Sequence, residues 1–136
     1  EYQERLALSQ GFVETLLGRR RYFHFNKNGL GRLLGTPPNE IDLTRARRAG
    51  MEAQQLRAAA NAPIQGSSAD QTKKAMVDCY AEGLLPMLTV HDELCFNIEN
   101  DEQVKRITEI MTTCVPNLNI PFEVDSAIVD NWGEVE

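Results

Sequence analysis

A proline in the middle of a helix-forming run constrains this chain more than any other residue. From Asp42 to Glu82 the sequence is rich in Ala, Arg and Gln, which favour helix, and its strongest breaker is Pro63. Proline has no backbone N–H to donate, and its ring crowds the carbonyl four residues earlier. The pattern therefore predicts two helices. The first, capped by Asp42 or Thr44, runs to about Ala60. The second starts near Gly66-Ser67-Ser68 and reaches about Glu82, with Thr72, Met76, Cys79 and Tyr80 on one face.

Shorter elements flank these helices. Residues 1–10 read as a helix stopped by Gln10-Gly11. That helix is already under way at Tyr2 in a chain whose first residue is Glu1, so the chain is expected to be a piece of something longer. Phe12-Val13-Glu14-Thr15-Leu16-Leu17 reads as a short strand leading through Gly18 into Arg19-Arg20-Arg21-Tyr22-Phe23. Residues 24–41, with three glycines, three asparagines and Pro37-Pro38, have the composition of a loop or insertion. Met87-Leu88-Thr89-Val90 and Leu94-Cys95-Phe96-Asn97-Ile98 flank a polar His91-Asp92-Glu93, the pattern of a hairpin. Asp101 is expected to cap a further helix whose buried stripe is Val104, Ile107, Ile110, Met111 and Cys114, ended by Pro116. Pro121–Val129 is expected to add one or two strands. Helices mixed with hairpins give an α+β fold, and 136 residues suffice for one core, burying roughly two-thirds of the unfolded surface.

Charge is unevenly spread. The net charge of −6 argues, as a total, against a nucleic-acid partner, but residues 1–74 carry 12 Lys/Arg and 7 Asp/Glu (+5) while residues 75–136 carry 2 and 13 (−11). A basic half suits polyanions and an acidic half suits cations; an accident of solvated surface gives the same numbers. Cys79, Cys95 and Cys114 form no CxxC pair, and with only His24 and His91 available a zinc site is not expected. Reduced thiols in a cytosolic protein account for them. No apolar run approaches the ~20 residues of a membrane helix.

Two stretches carry chemistry. In Val90-His91-Asp92-Glu93-Leu94, Asp92 is a carboxylate on a hairpin tip, where it is held still enough for Mg²⁺. Alternation prevents His91, Asp92 and Glu93 from all ligating one ion through ordinary strand geometry, and charged tips also serve simply to face water. In Arg57-Ala58-Ala59-Ala60-Asn61-Ala62-Pro63-Ile64-Gln65-Gly66, small alanines allow close approach. There Arg57, Asn61 and Gln65 are either surface and capping groups or donors aimed into a duplex minor groove, where every base pair offers acceptors.

These stretches, in this order and about 25 residues apart, resemble the family A DNA polymerases, the group of bacterial DNA polymerase I and its phage relatives. Asn61-Ala62-Pro63-Ile64-Gln65-Gly66-Ser67-Ser68-Ala69-Asp70 is similar to the family's helix segment that supports the primer-template. Val90-His91-Asp92-Glu93-Leu94 is similar to its third polymerase motif. Gly11-Phe12-Val13-Glu14-Thr15-Leu16, Gly18-Arg19-Arg20-Arg21-Tyr22 and Asn131-Trp132 extend the resemblance over nearly the whole chain outside residues 24–52.

The resemblance implies the C-terminal part of a polymerase palm, with its antiparallel hairpin packed on helices. Residues 1–136 would form a single partial polymerase domain: about 1–52 a fingers-side helical segment with an insertion, about 53–136 palm. Asp92 would be one of two palm aspartates holding two Mg²⁺ ions, His91 would lie near the primer terminus, and Glu93 would be an accessory carboxylate. Arg57, Asn61 and Gln65 would contact the growing duplex, and dNTPs would be the substrates. Arginines 19–21 have no firm family role; a phosphate contact and a solvated hairpin are both open.

Leu56 stands where many relatives have Glu, Ser68 where alanine is commoner, and Asn97 where an acid is frequent. Residues 24–52, with Arg45, Arg47 and Arg48, read as a lineage-specific insertion for which DNA is one candidate contact. The family's first motif, bearing the second aspartate, and its nucleotide-binding helix are absent from the sequence. The chain alone is therefore expected not to polymerise DNA, and to need an upstream portion in cis or as a second chain, in the cytoplasm of a bacterial or phage-infected cell. A non-catalytic duplex-binding module is the alternative, and a metal phosphohydrolase is disfavoured by too few histidines.

Overall fold

The computed structural model describes residues 1–116, 118, 120 and 122–134, Trp132 by its backbone only. It confirms a mixture of helices and small antiparallel hairpins. The chain folds into two compact units, Glu1–Asp70 and Gln71–Glu136.

In the first unit, helix α1 (Tyr2–Gln10) ends where Gly11 adopts φ 80° and its N–H reaches the Ala7 carbonyl at 3.0 Å. A side chain would strain that left-handed conformation, so glycine stops the helix as the sequence predicts. Strands β1 (Phe12–Glu14) and β2 (Arg20–Tyr22) then pair antiparallel, with Phe12 opposite Tyr22 and Glu14 opposite Arg20. Val13, buried, joins Ala7, Phe23, Ala59 and Ala62 in one apolar cluster.

Residues 24–41 contain only 3₁₀ turns at Leu30–Leu33 and Pro38–Glu40, as loop composition predicts. They are nevertheless not mere surface. Leu30 and Ile41, with Leu43 and Ala46 just beyond, pack with Leu8 and Leu56 to form the other cluster of this unit. Glu52 ties the loop down by accepting hydrogen bonds from the Asn26 N–H (2.6 Å) and the Leu30 N–H (3.2 Å). Its carboxylate occupies the space a Cβ at Gly29 would need.

Asp42 is a helix cap, accepting from the Arg45 N–H at 3.1 Å, but the helix it starts, α2 (Leu43–Ala46), is a single turn. The long helix begins later and does not stop at Pro63: α3 runs unbroken over Glu52–Ala81, thirty residues. The two-helix expectation is thus wrong in both boundaries. An interior proline costs roughly 3 kcal/mol, and burial outweighs it: Leu56, Ala59 and Ala62 are buried before the proline, and Asp70, Ala75 and Cys79 after it. Ser67 Oγ donates to the Pro63 carbonyl.

In the second unit the end of α3 is closed by a Schellman arrangement. Gly83, at φ 81°, donates to the Tyr80 carbonyl (3.0 Å), and Leu84 donates to the Cys79 carbonyl (2.9 Å). Strands β3 (Pro86–Val90) and β4 (Glu93–Phe96) form the expected hairpin, with a bulge between Pro86 and Leu88. Helix α4 (Asp101–Thr113) is capped by Asn100, not Asp101: the Asn100 carboxamide accepts from the Gln103 N–H at 3.0 Å. Its stripe falls as predicted, with Ile107, Ile110 and Cys114 buried. Ile107 and Ile110 pack with Cys79, flanked by Leu84, Phe96, Ile98 and Met111.

Two other expectations need correction. Tyr80 is 68% exposed, so the buried face of α3 here is Gln71, Ala75 and Cys79, which are spaced by fours. Residues 122–129 are irregular, not strands; Pro121 lies outside the described residues. Among the described residues no helix is long and apolar enough to cross a membrane.

Glu4 on α1 is 4% exposed and bound by Arg47 through Nε (3.1 Å) and Nη2 (2.6 Å). The Arg47 hydrogen bonds hold its carboxyl below the ordinary 4.5, outweighing the opposite effect of burial. A depressed carboxylate contributes stability above its unfolded pKa and loses it as pH falls through the folded value. Glu4→Gln should therefore be clearly less stable than the parent at pH 7, with the gap closing below about pH 4. Urea unfolding at pH 7, 5 and 3 measures this; a pH-independent gap would show that the ion pair contributes nothing.

Candidate nucleic-acid interface and hairpin carboxylate

Arg57, Asn61 and Gln65 recur every four residues along α3, and all three are exposed. At 3.6 residues per turn this spacing makes one row of donors, on the side of the helix away from buried Leu56, Ala59 and Ala62. Leu56, which stands where many relatives have Glu, is wholly buried and belongs to the core.

The β1–β2 hairpin lies against the next turns of this helix. Its clamp is Asp70, a buried carboxylate that accepts from Thr15 Oγ1 at 2.6 Å and from Arg19 Nε at 2.7 Å. Arg19 Nη2 also donates to the Gly66 carbonyl (3.1 Å), and the Leu16 N–H to Ser67 Oγ (2.9 Å). Close approach is possible only because residue 66 is glycine: a Cβ there would sit 2.6 Å from Thr15 Cγ2. Between hairpin and helix runs a groove of about 190 Å³, with Thr15, Arg19 and Arg21 on one wall and Ala62, Gln65 and Ala69 on the other.

The three consecutive arginines therefore have three different surroundings. Arg19 is held by Asp70 and Gly66, Arg20 pairs with Glu14 at 2.7 Å and stacks over Phe12, and Arg21 lies over the Phe23 ring. The family resemblance of residues 61–70 includes Asp70 but implies no role for it. The available signal was an acid inside an otherwise small and uncharged helical run, a residue that rarely becomes buried without a cationic partner.

In the second unit His91 and Asp92 form the two-residue turn between Val90 and Glu93, the closing pair of the hairpin. His91 takes φ 53°, and all three of His91, Asp92 and Glu93 are exposed. The tip is anchored from below: Phe96 packs on the Cys79–Ile107–Ile110 cluster. Burial, reinforced by Glu82 and Asp78, pushes the Cys79 thiol up to about 11, so it remains an uncharged core group near neutrality.

Among the described residues there is no cluster of three or more His, Cys, Asp or Glu side chains arranged to hold a metal ion. The hairpin offers Asp92 as one carboxylate, with Glu93 displaced into β4. Octahedral Mg²⁺ commonly takes one or two carboxylates with waters and phosphates as its remaining ligands. This donor set fits a share in such a site and not a self-contained one.

The family model for DNA polymerase family A matches residues 1–134. The chain belongs to that family. It is 40% identical over 138 residues to DNA polymerase I of Synechocystis, covering 96% of this chain and 14% of the relative. To the DNA-directed DNA polymerase of Pseudomonas phage M6 it is 37% identical over 130 residues, covering 96% and 16%. To the thermostable DNA polymerase I of Thermus aquaticus it is 34% identical over 129 residues, covering 90% and 13%. The chain thus spans about one-seventh of the length of the curated relatives it matches. No solved structure matches it.

Gly66→Ala should lower stability by about 1–3 kcal/mol through overpacking, although alanine favours helix by ~1 kcal/mol. Adding Thr15→Ser should restore most of the loss, because serine keeps the hydroxyl that Asp70 accepts and removes the clashing Cγ2. Urea unfolding of the single and double variants provides the check; an undiminished Gly66→Ala would mean the hairpin is free to lift from the helix.

Proposed function

We propose that this chain is a C-terminal portion of a template-directed DNA polymerase that adds dNTPs to a primer 3′-hydroxyl during DNA replication, in bacterial or phage-infected cytoplasm. The reading is carried by an exposed aspartate, Asp92, in a two-residue hairpin turn within a chain that matches the family from residue 1 to residue 134. Residues from about 53 to 136 correspond to palm, and those from 1 to about 52 to a fingers-side segment.

On this reading Asp92 contributes one carboxylate to a pair of Mg²⁺ ions, the other protein ligand coming from an upstream portion of the polymerase, in cis or as a second chain. The ions, when bound, activate the 3′-hydroxyl and stabilise the departing pyrophosphate. What the chain itself supplies is placement. A two-residue turn leaves Asp92 little freedom, and the left-handed backbone at His91 fixes the direction in which the chain enters it. His91 lies beside the primer terminus and Glu93 is an accessory acid.

Arg57, Asn61 and Gln65 are the duplex-contacting residues. Their donors suit the acceptors that every base pair offers in the minor groove, so they test pair shape without reading sequence. Phosphate neutralisation falls to the basic residues of the first half, where the net charge is +5 against −11 beyond residue 74.

Asp92→Ala, assayed together with the upstream portion, should abolish primer extension while leaving primer-template affinity within about twofold, since an exposed tip carboxylate is not expected to be a structural group. Unchanged extension would remove Asp92 from the site. Arg57→Ala should weaken primer-template binding on the order of tenfold, the loss expected for one charged hydrogen bond. Fluorescence anisotropy measures it, and equal affinities would overturn that contact. A non-catalytic duplex-binding module is the second reading, favoured by the lack of a three-ligand cluster among the described residues; it expects affinity to survive and extension never to appear with the upstream portion.

A further inference from the structure

Asp70 is a buried carboxylate of the first unit that the proposed chemistry leaves unused. It is 7% exposed, accepts from both Thr15 and Arg19, and lies one turn of helix beyond Gln65 and Gly66. Both of its hairpin partners and Arg21 line the groove wall facing Gln65 and Ala69. Among the described residues, Arg19–Asp70 is the ion pair that ties that wall to the helix. Further hydrogen bonds run from the Leu16 N–H to Ser67 Oγ and from Arg19 to the Gly66 carbonyl, the second through the same arginine, and Val13 and Phe23 share an apolar cluster with Ala59 and Ala62.

We propose that Asp70 is a positioning residue for the duplex-binding face. By holding Thr15 and Arg19 it fixes the β1–β2 hairpin at the distance from α3 that Gly66 permits. Gln65 is thereby presented across a groove of set width. This rests on the reading of Gln65 as a duplex contact. Three features support it. The carboxylate is buried, so its bonds to Thr15 and Arg19 are little contested by water. Glycine at position 66 makes the spacing as close as a helix allows. Arg19 is partly exposed yet directed by Nε to Asp70 and by Nη2 to the helix backbone, which takes it out of the pool of phosphate-binding cations.

Asp70 and Gln65 should therefore act through one geometry and be energetically coupled. In primer-template titrations of this chain, Gln65→Ala and Asp70→Asn should each raise Kd about tenfold. The double variant should also be about tenfold weaker, not the hundredfold product of independent effects. A purely structural role for Asp70 gives the product. Because Asp70→Asn leaves Arg19 without its counter-charge and could unfold the unit, Thr15→Val serves as the milder second variant; it should couple to Gln65→Ala in the same sense. Multiplying effects, or an unaltered Kd for both Asp70→Asn and Thr15→Val, overturn the positioning role while leaving the duplex reading intact. An unaltered Kd for Gln65→Ala overturns the duplex contact itself and this proposal with it.

Discussion

The apolar stripe of α3 is the constraint on which the rest of this structure depends. Leu56, Ala59 and Ala62 are each nearly or wholly removed from water, and the first unit's two clusters form around them. Their spacing makes the helix continue where a local rule says it should stop. One missing hydrogen bond and a ring clash at Pro63 are a fixed cost of a few kcal/mol. Unwinding the helix there would take the neighbouring alanines off their partners and turn the Arg57–Asn61–Gln65 row out of line. The proline is tolerated because breaking the helix would cost more than the lost hydrogen bond and the ring clash.

Around that stripe the first unit uses buried carboxylates as fasteners. Glu4 holds Arg47 and Asp70 holds Arg19, while the half-buried Glu52 holds two backbone N–H groups of a loop. Each draws in a part of the chain with little regular structure of its own. This changes the meaning of the charge split. Several arginines of the basic half are occupied internally, so its formal excess overstates the positive charge available to a polyanion. In the second unit Arg106 is similarly occupied, bridging Glu82 and Glu109.

Much of this was legible in the sequence because local rules and burial agreed. Gly11 as a stop, the His91-Asp92 tip and the Ile107–Ile110–Cys114 stripe each follow from backbone freedom or periodicity. The order of motifs gave the family, which the comparisons bear out. The failures share a cause. At Pro63 and at the cap of α4 local chemistry is overridden, by burial beside the proline and by Asn100 standing one place ahead of Asp101. The clamp at Asp70 was illegible for another reason. Its partners are 51 and 55 residues away, and no periodicity connects them.

The left-handed backbone at His91 has a consequence for how variation at the hairpin tip should be interpreted. A φ of 53° suits glycine, asparagine, aspartate and histidine, and strains β-branched side chains whatever their chemistry. A library randomised at this position would lose valine, isoleucine and threonine for steric reasons alone. Intolerance there is therefore a composite signal, part geometry and part imidazole. Glycine separates the two, since it relaxes the turn while removing the ring.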